Sequence, residues 1–125
     1  MRRPLIAIVD DDPSVRKALE RLLKAAGFEA TSFASAPEFL QGGLAAAPEC
    51  VLLDIHLGGM SGFELYEQLS AAGSTVPVIF ITAHDDDSTR EHARQVGSSG
   101  YLPKPLEQHM LLGAIYQALK QDTAP

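Results

Sequence analysis

The chain has 125 residues, of which 46% are hydrophobic and 21% charged, and carries a formal net charge of −6 at pH 7. Such a length fits one domain that buries roughly two thirds of the surface exposed by its unfolded form, with no need of a metal or disulfide. The acidic balance excludes a nucleic-acid-binding face, which needs clustered Lys and Arg, and no stretch approaches the ~20 apolar residues of a membrane span.

Met1 to Pro4 is basic, but the apolar segment after it, Leu5 to Val9, is too short for a signal peptide and runs straight into Asp10, Asp11 and Asp12. Leu5 to Val9 reads as a first buried strand. Asp12 before Pro13 supplies an N-cap followed by proline at the first helical position. Val15, Leu19, Leu22, Leu23 and Ala26 mark one face of the helix that follows, and Gly27 stops it. Phe28 to Ser32 is a second strand of mixed polarity, expected near a sheet edge. Ser35 and Glu38 have capping-box spacing and open a short helix closed by Gly42 and Gly43.

Cys50 to Asp54 is an uninterrupted apolar run that ends in a carboxylate, the pattern of a strand buried on both faces of a parallel sheet. Cys50 reads as a buried, reduced thiol, which suits a cytosolic setting. A glycine-containing loop, Ile55 to Gly62, follows; Ser61 and Glu64 then form a second capping-box match for a helix ending near Gly73. Val76 to Thr82 is a fourth strand. Ser88 and Glu91 give a third capping-box match, opening a helix to about Val96 that has few large apolar residues and is expected to be loosely held, with Asp85 to Asp87 as solvated charges before it. Gly100 to Leu102 is a brief fifth strand. Met110, Leu111, Ala114, Ile115, Ala118 and Leu119 give the face of a last helix, and Gln121 to Pro125 is expected to be a disordered tail.

Strand and helix thus alternate five times, which implies a parallel sheet with helices on both faces and right-handed crossovers. The expected fold is α/β, a (βα)5 flavodoxin-like doubly wound sheet of order 2-1-3-4-5, filling residues 1–125 as a single domain with its core at about 5–120. In an open parallel sheet, ligands bind at the carboxyl edge where the strand order reverses. That order places Asp10 and Asp11 beside Asp54, with Thr82 ending the next strand and Lys104 following the fifth. Carboxylates ~4 Å apart repel by about 4 kcal/mol per pair at an effective dielectric of about 20. Such a cluster protonates or binds a cation, and hard oxygen ligands suit Mg²⁺. A carboxylate beside Mg²⁺ and a lysine is equipped to attack a phosphoryl group, which makes Asp54 the candidate nucleophile.

With Val9-Asp10-Asp11, Leu53-Asp54, Ile81-Thr82-Ala83 and Lys104-Pro105 in this order, residues 5–120 closely resemble the receiver domain of two-component response regulators, most of all the FixJ-type subgroup. The resemblance implies that Asp54 accepts phosphate from a sensor histidine kinase. It implies that Asp11, Asp54 and the His56 carbonyl hold Mg²⁺ directly, with Asp10 acting through water, and that Lys104 contacts the phosphoryl group. Thr82 and Tyr101 would be the switch residues, altering the face of the fourth helix, fifth strand and last helix. A cytoplasmic, phosphorylation-activated regulator of transcription is implied, with output through a domain outside this chain and with phosphorylation-dependent homodimerisation. Autodephosphorylation, rather than turnover on a separate substrate, is its chemistry in that reading.

Two departures stand out. Gly58 and Gly59 occupy a place where the family usually has a proline, which implies a more mobile loop and a weaker metal site. Pro103 directly before Lys104 is unusual for the family and implies an altered presentation of that lysine, and the Lys104-Pro105 bond is cis in the family. His56 and His84 follow Asp54 and Thr82 by two residues, at positions that influence phosphate lifetime in the family, so a pH-dependent lifetime is expected. Three other functions fit the residues less well. A flavodoxin-like cofactor module would need a Ser/Thr/Gly-rich phosphate loop where this chain is Asp-rich. A degenerate receiver used only for docking is opposed by the intact acids, Thr and Lys, and a hydrolase of phosphate esters fits less well still.

Overall fold

The structure is a computed structural model that describes residues 3–123, with side chains as far as Lys120. Five strands alternate with five helices. The strands are β1 (Leu5–Val9), β2 (Glu29–Phe33), β3 (Cys50–Asp54), β4 (Val78–Thr82) and β5 (Gly100–Pro103). The helices are α1 (Pro13–Ala25), α2 (Ala36–Gly42), α3 (Gly62–Ala71), α4 (Asp87–Gln95) and α5 (Gln108–Thr123). All strand pairs are parallel, in the order β2-β1-β3-β4-β5.

Alternation of side chains along each strand sorts the core into two layers. Ile6, Ile8, Leu52, Ile79 and Ile81 pack with Leu19 and Leu23 of α1 and with Leu111, Ile115 and Ala118 of α5. Ala7, Val9, Val51, Leu53 and Phe80 face the other way, onto Phe39 of α2, Leu65 and Leu69 of α3, and Ala93 of α4. Full burial of each large apolar side chain contributes roughly 1.5–3 kcal/mol. The runs in β1, β3 and β4 are therefore continuous because both faces are covered. The outer strand β2 instead mixes exposed and half-buried residues, as its polarity implies.

Several element ends follow from identifiable chemistry. Asp12 caps α1, its side chain accepting the Ser14 N–H at 2.9 Å, and Gly27 closes it at φ +97°. Ser61 and Glu64 complete a capping box on α3: the Glu64 N–H donates to Ser61 Oγ at 3.1 Å and the Ser61 N–H to Glu64 Oε1 at 2.9 Å. At α2 only half of the expected box forms, because Glu38 accepts from the Ala34 N–H rather than from that of Ser35.

Four expectations require correction. The cap of α4 is Asp86, which accepts the Thr89 N–H at 2.7 Å, so this helix begins earlier than the Ser88/Glu91 spacing implies. Asp outcompetes Ser here because its charge also meets the positive end of the helix. Strand β4 begins after Pro77, which has no N–H for the ladder. Strand β2 is displaced by one residue, since Phe28 turns into the α1/α5 core layer. Finally, α5 continues through Thr123, so helix occupies part of the expected tail, and Ala124 and Pro125 lie outside the described residues.

Candidate functional site

The register of the sheet sets the carboxyl edge. Val9 pairs with Leu53, Asp54 with Ile81 and Thr82 with Pro103, so β1, β3, β4 and β5 end side by side. Asp10, Asp11, Asp54, Thr82 and Lys104 converge there from as far apart as 94 positions in sequence. Asp10, Asp54 and Thr82 are buried, and they are the polar side chains that break an otherwise apolar interior. Asp11 is exposed and forms the outer lip.

Lys104 stands between the two buried acids, its Nζ donating to Asp10 Oδ2 at 2.8 Å and to Asp54 Oδ2 at 3.2 Å. The other oxygen of Asp10 accepts the Asp12 N–H at 2.9 Å, and that of Asp54 accepts the His56 N–H at 3.1 Å. Both acids thus have each oxygen engaged within the site. Pro103 does not keep Lys104 out of the site: the Lys104 N–H donates to the Thr82 carbonyl at 2.7 Å, and the Lys104-Pro105 bond is cis.

Burial pushes the Asp54 carboxyl above its usual range and the nearby Asp10 charge adds to this, while the His56 N–H and Lys104 pull it back. For Lys104, burial opposes the ammonium, but its bonds to Asp10 and Asp54 outweigh this and raise its pKa. One ammonium against three carboxylates leaves the pocket negative. Oxygens of Asp10, Asp11 and Asp54 all lie within 4.8 Å of one another. This is a hard, all-oxygen donor set with uncompensated charge, and it fits Mg²⁺.

Thr82 is fully buried and its Oγ1 accepts the His84 N–H at 2.9 Å. Tyr101 is half-buried, its hydroxyl donating to Asp85 Oδ1 at 2.9 Å, with the Arg90 guanidinium 6.0 Å from its ring centre. Arg90 also holds Asp85 through both carboxylate oxygens at 2.8 Å. Asp85 is therefore not simply a solvated charge. The exposed rings of His56 and His84 meet edge to face, 4.6 Å between centres.

Sequence reasoning missed three contributors. Arg16 donates to the Asp10 carbonyl at 2.7 Å and secures the β1 end. Gly62 lies against the end of β3, where an added Cβ would stand only 2.4 Å from the Asp54 carbonyl oxygen. Asp85 anchors Tyr101. Only Gly62 left a signal, a glycine directly after a helix cap; the other two contacts depend on tertiary placement.

This strand order, with an acidic pocket where it reverses between β1 and β3, defines a doubly wound α/β domain with a cation-receptive carboxyl edge. The chain belongs to the response regulator receiver domain family, which residues 6–116 match. It is 33% identical over 120 residues to Nodulation protein W of Bradyrhizobium diazoefficiens, covering 96% of this chain and 53% of that protein. To the DNA-binding transcriptional regulator NtrC of Escherichia coli it is 39% identical over 107 residues, or 86% of this chain and 23% of that one. The structure of full-length FixJ from B. japonicum superposes with a TM-score of 0.90 at 32% identity, covering 98% of this chain and 61% of FixJ. The chain thus spans about half, or less, of the length of these curated relatives. No helix among the described residues is long and apolar enough to cross a membrane.

Proposed function

We propose that this receiver domain, filling residues 1–125, is a phosphorylation-activated switch in which Asp54 is the phosphoacceptor and a sensor histidine kinase is the donor. The observation that carries the reading is the bridge of Lys104 between Asp10 and Asp54 at the carboxyl edge, with Asp11 and Thr82 alongside. Asp54 is buried but aimed into the pocket, and Lys104 and the His56 N–H favour its charged form against burial and the Asp10 charge.

Asp11, Asp54 and the His56 carbonyl would hold Mg²⁺, with Asp10 acting through water. When bound, the ion offsets negative charge on the phosphoryl oxygens. An oxygen of Asp54 attacks phosphorus, the new O–P bond forms as the P–N bond of the phosphohistidine breaks, and the imidazole leaves with the bonding pair and takes up a proton. Lys104 exchanges its bond to Asp54 for one to the transferred group. Thr82 turns toward the phosphoryl oxygen, and Tyr101 moves into the space released. The face of α4, β5 and α5 changes as a result, favouring a homodimer and passing the signal to an output domain, by analogy with the transcriptional regulator among the relatives. Water later hydrolyses the acyl phosphate, so the domain resets itself without turnover on a second substrate. Gly58 and Gly59 make the loop beside Asp54 less constrained than proline would, which weakens Mg²⁺ binding without removing a ligand.

The test uses phosphoramidate, a small donor with the same P–N bond. Protein-bound phosphate is expected to form only with Mg²⁺ and to be released by hydroxylamine, as an acyl phosphate is. Phosphate that forms in EDTA, or that resists hydroxylamine, contradicts the reading.

A further inference from the structure

We propose that His56 and His84 form a second metal site, distinct from the acidic pocket, that takes a borderline divalent ion such as Zn²⁺ or Ni²⁺. The two imidazoles come from separate loops, after β3 and after β4, and both are exposed. Each loop is anchored beneath its ring, the His56 N–H on Asp54 Oδ1 at 3.1 Å and the His84 N–H on Thr82 Oγ1 at 2.9 Å. Their ring centres are 4.6 Å apart at an interplanar angle of 77°.

That spacing falls within the range a shared ion allows. With metal–nitrogen bonds of about 2.05 Å a ring centre lies roughly 3.2 Å from the ion, so two cis imidazoles have centres roughly 4.5–5.2 Å apart. The edge-to-face contact itself holds the two rings together, so a shared ion would find both imidazoles already adjacent. Asp86 supplies nearby negative charge. Its carboxyl is held below the usual range first by the Thr89 hydrogen bonds and, to a smaller extent, by the charges of His56 and His84. Asp86 Oδ1 is engaged by the Thr89 N–H, so Asp86 acts through its charge and water completes the shell. Imidazole nitrogen selects Zn²⁺, Ni²⁺ or Cu²⁺ over Mg²⁺, whereas the three-carboxylate pocket prefers the hard ion, so the sites sort their metals.

An ion held there clips the β3–α3 loop to the β4–α4 loop. On the function proposed above, the clip restrains Thr82 and opposes switching. The metal site itself does not depend on that reading, and it survives if Asp54 proves not to accept phosphate.

The test is a Zn²⁺ titration of untagged protein in excess Mg²⁺, followed by NMR of the imidazole signals. The His56 and His84 signals are expected to shift together and saturate, while those of His92 and His109 stay in place. Saturable binding is expected to vanish in His56→Ala and in His84→Ala, to weaken in Asp86→Asn, which keeps a helix cap, and to persist in Asp11→Asn. Slower hydrogen exchange at Ala83 and His84 with Zn²⁺ is expected from the clip. Binding that survives either histidine substitution, that is lost in Asp11→Asn, or that shifts all the histidines alike overturns the proposal.

Discussion

Burial and the bond to Asp85 push the Tyr101 hydroxyl up to about 12. A phenol raised above its unfolded value of about 10 contributes stability that is complete below that value and is lost as the pH rises through the folded one. Titration of tyrosine absorbance is therefore expected to show one late group near 12, and Asp85→Asn should bring it down toward the ordinary range. An unchanged late group in that variant would show that Asp85 does not hold Tyr101. On the proposed switch, releasing this contact should also favour an inward position of Tyr101, so Asp85→Asn is expected to respond to a phosphoryl analogue at lower concentration. Gly62 offers a second check at this scale. An alanine there drives a Cβ to 2.4 Å from the Asp54 carbonyl oxygen, and the overpacking should cost about 1–3 kcal/mol in urea unfolding. Gly58→Ala, whose Cβ meets open space, is expected to be neutral or stabilising by up to about 1 kcal/mol.

At the level of elements, α4 is the weak member. Ala93 is its buried residue, and the sparse apolar content seen in sequence has that consequence in packing. Its ends matter correspondingly more. Removal of the Asp86 cap in Asp86→Ala should cost about 1 kcal/mol and speed hydrogen exchange through α4, whereas Ser88→Ala should change little. The reverse ranking would restore the Ser88 cap expected from spacing. That error has a plain origin: Asp85, Asp86, Asp87 and Ser88 are all good caps, and sequence alone does not rank four adjacent candidates. At α3, by contrast, Ser61 and Glu64 had no competitor, and the box formed as its spacing required.

Across the whole molecule, the architecture was legible because hydrophobic patterning has one consistent solution. Continuous apolar runs at β1, β3 and β4 require cover on both faces, and alternation with helices requires a parallel sheet. The strand order then brought Asp10, Asp11, Asp54, Thr82 and Lys104 to one edge, so most of the site followed from topology. What stayed hidden were contacts set by side-chain reach across crossovers. Arg16 to the Asp10 carbonyl and Tyr101 to Asp85 have no local sequence signal. The pairing of His56 with His84 was likewise anticipated only as two residues flanking the site, not as rings in contact. If the switch reading holds, the Asp54→Asn variant should also remain monomeric under conditions in which phosphorylated wild type dimerises, as sedimentation would show.

The central claim is that Asp54 is a nucleophile toward phosphorus, and intact mass tests it most directly. After incubation with acetyl phosphate and Mg²⁺, wild type is expected to gain the mass of a single phosphoryl group while Asp54→Asn gains none. Equal gain by both proteins, or no gain by wild type although Mg²⁺ binds, would contradict the account.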